Sequence, residues 1–524
     1  MSEHHEHKHH SHHLPYDFQI IVNGFSTKVN KGKVSSYSRT IKEFCESNPK
    51  ADRIQIQIEM KTIEPYQLLI KNILSNDKKI TVKYSNLTFI QKFLDKIKFE
   101  YLEIKLNEFY EKYSKPVDNS PELRELVTLE RIVFTLNEDT KDNIFIETSR
   151  ILNKNNLEPY LITFLGRCLS KPQDIVFLID FLIALNEKPI ERKTKLVLPI
   201  FKQIVLRNLR LKIDKDFFYD RTHLQELSFL TIWLIEKKIV EPNEIYPCYS
   251  KLPPFFAHLM NPNTMHFDVP FHSLNVNWEE HKHNILIGET EKDTLLKILR
   301  EDDAKSLLPL TQYHFNFEAL VQIPYYEKNS ILLNNKVYII EYCAFYGSIE
   351  CFKVLLNNGA TKLRKETAIF ASAGGNIEIL KMMQMCTCYD SLKWDCDLCL
   401  KTAIMYHKQD IVEWLVEYRS IDLQAAIKTI STAIFESGNI TCFMYIVKRG
   451  VCDSCLLEMA SLYGYTNVVK FLLTFANENI SNYKNPLHNA CLSGNEETVK
   501  TLLSTKIFNI SEKTVSLKIL SKNC

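Results

Sequence analysis

The spacing of apolar positions divides the chain into three stretches with different periods. Near the start, DFQIIV (17–22) and FSTKV (25–29) have strand character, and the Asn23-Gly24 pair between them predicts a tight hairpin turn. RIQIQIEM (53–60) alternates cleanly and predicts a further strand. A helix is expected from about Ser35. Residues 63–82 read as a helix, a polar turn at Asn76-Asp77 and a short strand. Residues 85–113 read as one or two amphipathic helices with Ser85 as N-cap.

From residue 115 the period changes to 3.6. The segments at 120–136, 157–169, 174–186, 194–211 and 222–240 carry apolar residues at helical spacing. They predict a packed helical domain without an evident site. Residues 242–285 are richer in Pro, His and aromatics. Glu279, His281 and His283 in NWEEHKHN alternate, so they do not share one helix face, and they read as solvated loop polarity.

The third stretch repeats. EYCAFYGSIECFKVLL (341–356), IFASAGGNIEILKMM (369–383), TAIMYHKQDIVEWLV (402–416), TAIFESGNITCFMYIV (432–447), MASLYGYTNVVKFLL (459–473) and HNACLSGNEETVKTLL (488–503) can be stacked on one template. Each has a short helix with a small residue, a break, and an apolar helix. The breaks are Gly347, Gly375, His407, Gly438, Gly464 and Gly494, separated by 28, 32, 31, 26 and 30 residues. Small residues such as Ala344, Ala371, Ala403, Ala460 and Ala490 allow helices to approach, and glycine at the break ends the first helix in a left-handed conformation. One unit has no partner for its apolar face, so stacking makes the core. EKDTLLKILREDDAKSLL (291–308) reads as the start of a preceding repeat, and residues 507–524 as a truncated cap.

The third stretch resembles the ankyrin repeat family. NPLHNACLSGNEETVKTLL (485–503) is close to that consensus, with Asn485 where the family has Thr, and NNGA (357–360) matches the family's ending. The Trp and Pro signature of tetratricopeptide repeats is absent. The first stretch resembles a BTB/POZ domain: Asp17, Phe25 and Lys31 fit that pattern, although Asn30 stands where the family has His. The fold class expected is mainly α. It comprises a disordered His-rich tail (1–14), a small α+β BTB/POZ-like domain (15–114), a helical linker domain (115–285) and an ankyrin solenoid (286–524).

The resemblance to ankyrin repeats implies a non-catalytic scaffold or adaptor whose groove binds a protein. In that family the two positions before the break face the groove. Here they include Phe345-Tyr346, Met405-Tyr406 and Leu462-Tyr463, the candidate partner-binding residues, and also Ala373-Gly374, Glu436-Ser437 and Leu492-Ser493. The resemblance to BTB domains implies a homodimer through 15–114. Some members of that family recruit cullin-type ubiquitin ligases, which would make the chain a substrate receptor.

Composition narrows this further. With 65 basic and 63 acidic residues the net charge is +2, which gives no electrostatic reason to expect nucleic acid or anionic lipid. The longest apolar run, IVFLIDFLIAL (175–185), is too short to span a bilayer, which needs about 20 residues. No signal peptide is evident, so the expected location is cytoplasmic, with the nucleus open as well. Fourteen cysteines then read as reduced thiols. Cys386, Cys388, Cys396 and Cys399 have spacing close to that of a zinc site and give the alternative reading, a metal-binding regulator. Against it, the repeat register puts Cys399 at a helix start, and Cys343, Cys442, Cys455 and Cys491 also sit on repeat helices. Seven histidines in the first thirteen residues could hold a metal loosely. No phosphate loop, nucleophile elbow, zinc-protease or kinase motif is present, so neither an enzyme nor a cofactor is expected.

Overall fold

A computed structural model describes residues 16–60, 63–76, 80–152, 157–187, 196–213, 224–245, 294–312, 315–323, 327–333, 335–360, 363–385, 394–419, 421–475, 486–505 and 507–508. The chain forms two compact units. One holds the described residues up to Asn119 with 446–451, and the other holds 120–445 with 452 onward.

The first unit begins with the hairpin β1 (Phe18–Val22) and β2 (Phe25–Val29). Asn23 and Gly24 both have positive φ, 43° and 85°, as the tight turn requires. Helices α1 (Lys31–Tyr37) and α2 (Arg39–Ser47) follow, then β3 (Arg53–Ile56). The sheet order is β2-β1-β3, with β1 antiparallel to β2 and parallel to β3. Phe18, Ile20 and Val22 are buried on one face of β1 and pack with Ile54 and Ile56 of β3. Helices α3 (Gln67–Leu74), α4 (Tyr84–Lys96) and α5 (Glu100–Phe109) complete the layer over the sheet, and a short α6 (Lys115–Asn119) ends the unit.

The details explain several sequence features. Asp17 Oδ1 accepts from the Lys31 backbone N–H at 2.7 Å, and Asn30 Oδ1 caps α1 through the Lys33 N–H at 2.8 Å. Lys31 Nζ donates to the carbonyls of Pro49 and Ala51. The cap therefore starts α1 at Lys31 rather than near Ser35. The expected strand over 53–60 stops at Ile56, because the Asn23 side chain takes over pairing: it accepts from Ile58 N and donates to Ile58 O. Residues 80–82 are not a strand. Ser85 is not the N-cap of α4, which starts at Tyr84; Asn86 Oδ1 accepts the Lys83 N–H.

The second unit opens with six helices: α7 (Pro121–Thr135), α8 (Lys141–Leu152), α9 (Leu157–Ser170), α10 (Ile175–Glu187), α11 (Val197–Ile213) and α12 (Leu224–Glu236). Ser120 caps α7, and Pro121 occupies its first position. α8 has no counterpart among the helices read from the sequence.

The repeats follow as seven helix pairs among the described residues. They are α13 (Thr294–Arg300) with α14 (Ala304–Leu310), then, after the short α15 (Ser330–Leu333), α16 (Ile339–Tyr346) with α17 (Ile349–Asn357). Next come α18 (Lys365–Gly374) with α19 (Ile377–Met385), and α20 (Cys396–Met405) with α21 (Gln409–Tyr418). The last three are α22 (Ile427–Ser437) with α23 (Ile440–Lys448), α24 (Ser454–Tyr463) with α25 (Thr466–Phe475), and α26 (Pro486–Ser493) with α27 (Glu496–Ser504). The first helices stack on one another along the array.

All six expected breaks have positive φ: 70° at Gly347, 80° at Gly375, 54° at His407, 73° at Gly438, 78° at Gly464 and 65° at Gly494. The first pair breaks at Asp302, φ 55°, and the Asp302 carboxylate accepts the Glu350 and Cys351 N–H groups that open α17. After three breaks comes an asparagine that ties one pair to the preceding one. Asn376 Nδ2 donates to Gly347 O, Asn439 Nδ2 to Ile404 O and Asn495 Nδ2 to Gly464 O. The oxygen of each accepts a backbone N–H of its own second helix. Replacing buried Asn495 by alanine removes both bonds and leaves Thr498 N without its acceptor. The expected cost is about 2 kcal/mol, read as a lower denaturation midpoint.

Candidate functional site

The helices α7, α9, α11 and α12 belong to the same compact unit as the repeats and pack on them. The contact falls on the line of breaks where the candidate partner-binding residues lie. α9 crosses closest to α22, and a glycine makes this possible. A Cβ at Gly166 would stand 1.9 Å from Ser437 O, so no side chain fits. Across the same contact, a Cβ at Gly438 would meet Thr163 Cα at 3.3 Å.

Polar groups pin the contact. Glu130 of α7 is buried, its Oε2 accepting from Thr441 N at 2.8 Å and Thr441 Oγ1 at 3.0 Å. Its Oε1 lies 3.1 Å from His407 Nδ1, while His407 Nε2 lies 2.9 Å from Ser437 O. Both ring nitrogens thus face oxygen atoms of neighbouring elements. The His407 ring also lies against Phe134, centroids 3.9 Å apart. Arg207 of α11 donates to Ser493 O at 3.1 Å and Tyr463 O at 3.4 Å and pairs with Glu158 at 3.5 Å. Glu226 of α12 accepts from Ser330 N and Oγ.

This arrangement fixes where the six candidate residues sit. Met405, Leu462 and Tyr463 are buried, and Arg207 of α11 reaches the Tyr463 carbonyl. Phe345 is buried too, but it converges with Tyr346 and Tyr406: the Phe345 ring stands edge-on to Tyr346 at 5.1 Å and to Tyr406 at 5.8 Å. These three border a cavity of about 420 Å³ that also reaches Ser170, Lys171 and Gln173 after α9, Arg300, Glu327 to Asn329, Ala373, Gly374 and Lys408. Burial pushes both tyrosine phenols up, so they stay protonated.

Cys396 and Cys399 both lie on α20, which starts at Cys396, so Cys399 is inside the helix rather than at its start. Burial pushes the Cys399 thiol up to about 12. Cys386 and Cys388 lie outside the described residues, as do Glu279, His281, His283 and the histidine-rich start. Among the described residues no group of three or more His, Cys, Asp or Glu is placed to hold a metal ion. No described helix is long and apolar enough to cross a membrane.

Helices α7, α9, α11 and α12 were legible in the sequence but their packing on the repeats was not, because amphipathic spacing shows that a helix buries a face and not what covers it. One signal was present: a glycine inside the apolar α9.

Residues 430–514 match the family model described as ankyrin repeats in three copies. The chain therefore carries three ankyrin repeats there, and the preceding helix pairs continue the same stack. No curated protein matches the chain.

Proposed function

We propose that the protein is a non-catalytic interaction scaffold or adaptor that binds a protein partner through its repeats and self-associates through residues 15–114. The ankyrin match supports the first part, since such repeats are generally protein-binding modules. The second part, with a BTB/POZ-like identity for the first unit, is supported by the strand order β2-β1-β3 and by the Asp17, Asn30 and Lys31 contacts around α1. A role as ubiquitin-ligase substrate receptor, in the cytoplasm, is the more specific form of this reading.

The observation that carries the proposal is the convergence of Phe345, Tyr346 and Tyr406 at the cavity mouth, on positions that ankyrin repeats turn toward partners. Tyrosine offers a large contact area at modest entropy cost. Met405, Leu462 and Tyr463 would serve the same interaction only when α7 to α12 move aside. Affinity capture with the full chain, wild type against the Tyr346→Ala/Tyr406→Ala variant, tests this. A partner held by the wild type and lost by the variant is expected. If every captured protein stays with the variant, the assignment fails, and a monomer at all concentrations tested removes the self-association.

A further inference from the structure

The 420 Å³ cavity has an unusual charge balance. Four cationic side chains line it, those of Lys171, Arg300, Lys328 and Lys408, against one carboxylate, Glu327. Glu327 is buried and its Oε1 is held by Asn329, accepting from Asn329 N at 3.0 Å and Nδ2 at 2.7 Å. The four cations therefore outnumber the lining carboxylate by three. Among the described residues neither Lys171 nor Lys408 forms an ion pair.

Lys408 is held closely against the fold. The Lys408 stem runs over Gly375, where a Cβ would stand 2.4 Å from Lys408 Cδ. Burial, and then the charge of Lys171, push the Lys408 ammonium down. Lys328 is pulled down to about 8 by burial, against the opposing charges of Glu327 and Asp174. Burying like charges together raises the energy of the folded chain. A fold that keeps them so has a site that an anion would complete.

We propose that this cavity binds a polyphosphate-bearing small molecule, with Lys171, Arg300, Lys328 and Lys408 holding the phosphates and Tyr346 and Tyr406 forming the opposite wall. Three excess charges match more than one phosphate group, and lysine and arginine are the usual phosphate ligands. The volume lies within the range of about 300–1,000 Å³ usual for small-molecule sites. The protonated phenols can donate hydrogen bonds and present aromatic faces to a ring. This site does not rest on the scaffold reading, because a free small anion needs no protein partner.

The test is calorimetric titration of the full chain with tripolyphosphate and with ATP at low salt. Both should bind. Losing one charged contact should weaken each by about tenfold or more in Lys408→Met. Affinity should also fall as pH rises through about 8, where Lys328 loses its charge, well below the ordinary lysine range. Equal affinities mean that phosphates alone are recognised. Tighter ATP binding places a base against the tyrosines. Because Lys408→Met removes repulsion from Lys171, the unliganded variant should melt no lower than the wild type. If it does melt lower, Lys171→Gln repeats the titration and decides the outcome. Absence of binding by both anions, or full binding by the variants, overturns the proposal.

Discussion

Replacing Gly166 by alanine should destabilise the second unit by about 3 kcal/mol, the upper part of the range for overpacking. The sign is the informative part. Glycine to alanine within a helix ordinarily stabilises by about 1 kcal/mol. Here the added methyl would stand 1.9 Å from Ser437 O and 2.6 Å from its carbonyl carbon, both backbone atoms that no rotamer change can move. Relief requires α9 to lift from α22 around Gly166 and Thr163, where the two helices approach most closely. Chemical denaturation followed by tryptophan fluorescence reads the effect. A variant as stable as the wild type would mean that α9 does not lie against α22.

Replacing Glu130 by alanine should cost about 3 kcal/mol, because it leaves several hydrogen-bonding groups without their acceptor. Four groups depend on this carboxylate directly or through one intermediary: Thr441 N, Thr441 Oγ1, the His407 ring and, through that ring, Ser437 O. With the carboxylate gone, the Thr441 N–H loses its acceptor and the His407 ring loses one of two. Glu130→Gln keeps the shape and one acceptor oxygen, so it should recover part of the loss. Equal losses in the two variants would show that side-chain volume, not charge and hydrogen bonding, holds the contact.

These two residues also mark the limit of what the sequence made legible. The array was readable because its physics is local: a left-handed break every 26 to 32 residues, with helices of fixed length on both sides. His407 was readable as a break by register alone, although histidine seldom adopts φ 54°. In the first unit, Asn23-Gly24 and the alternation in β1 fixed the hairpin. The strand expected at 80–82 failed because two or three apolar residues carry no period. The contact of α7, α9, α11 and α12 with the repeats was not readable. It joins Glu130 to Thr441 and Arg207 to Ser493, residues hundreds of positions apart, and no local rule connects them. The residues before the breaks were legible as a line that recurs from pair to pair. That the chain covers this line itself, leaving Tyr346 and Tyr406 at a cavity, is a tertiary fact.

Central to the second unit is the packing of the helices before the repeats on the line of repeat breaks. A double-mutant cycle on Glu130 and His407 measures it most directly, because one residue lies on α7 and the other at a repeat break. Each alanine variant and the pair would be compared by denaturation of the full chain. A coupling of about 2 kcal/mol is predicted, as for residues sharing one buried hydrogen-bonded network. Additive effects within about 0.5 kcal/mol would mean that the two residues do not meet and that the repeat face is open.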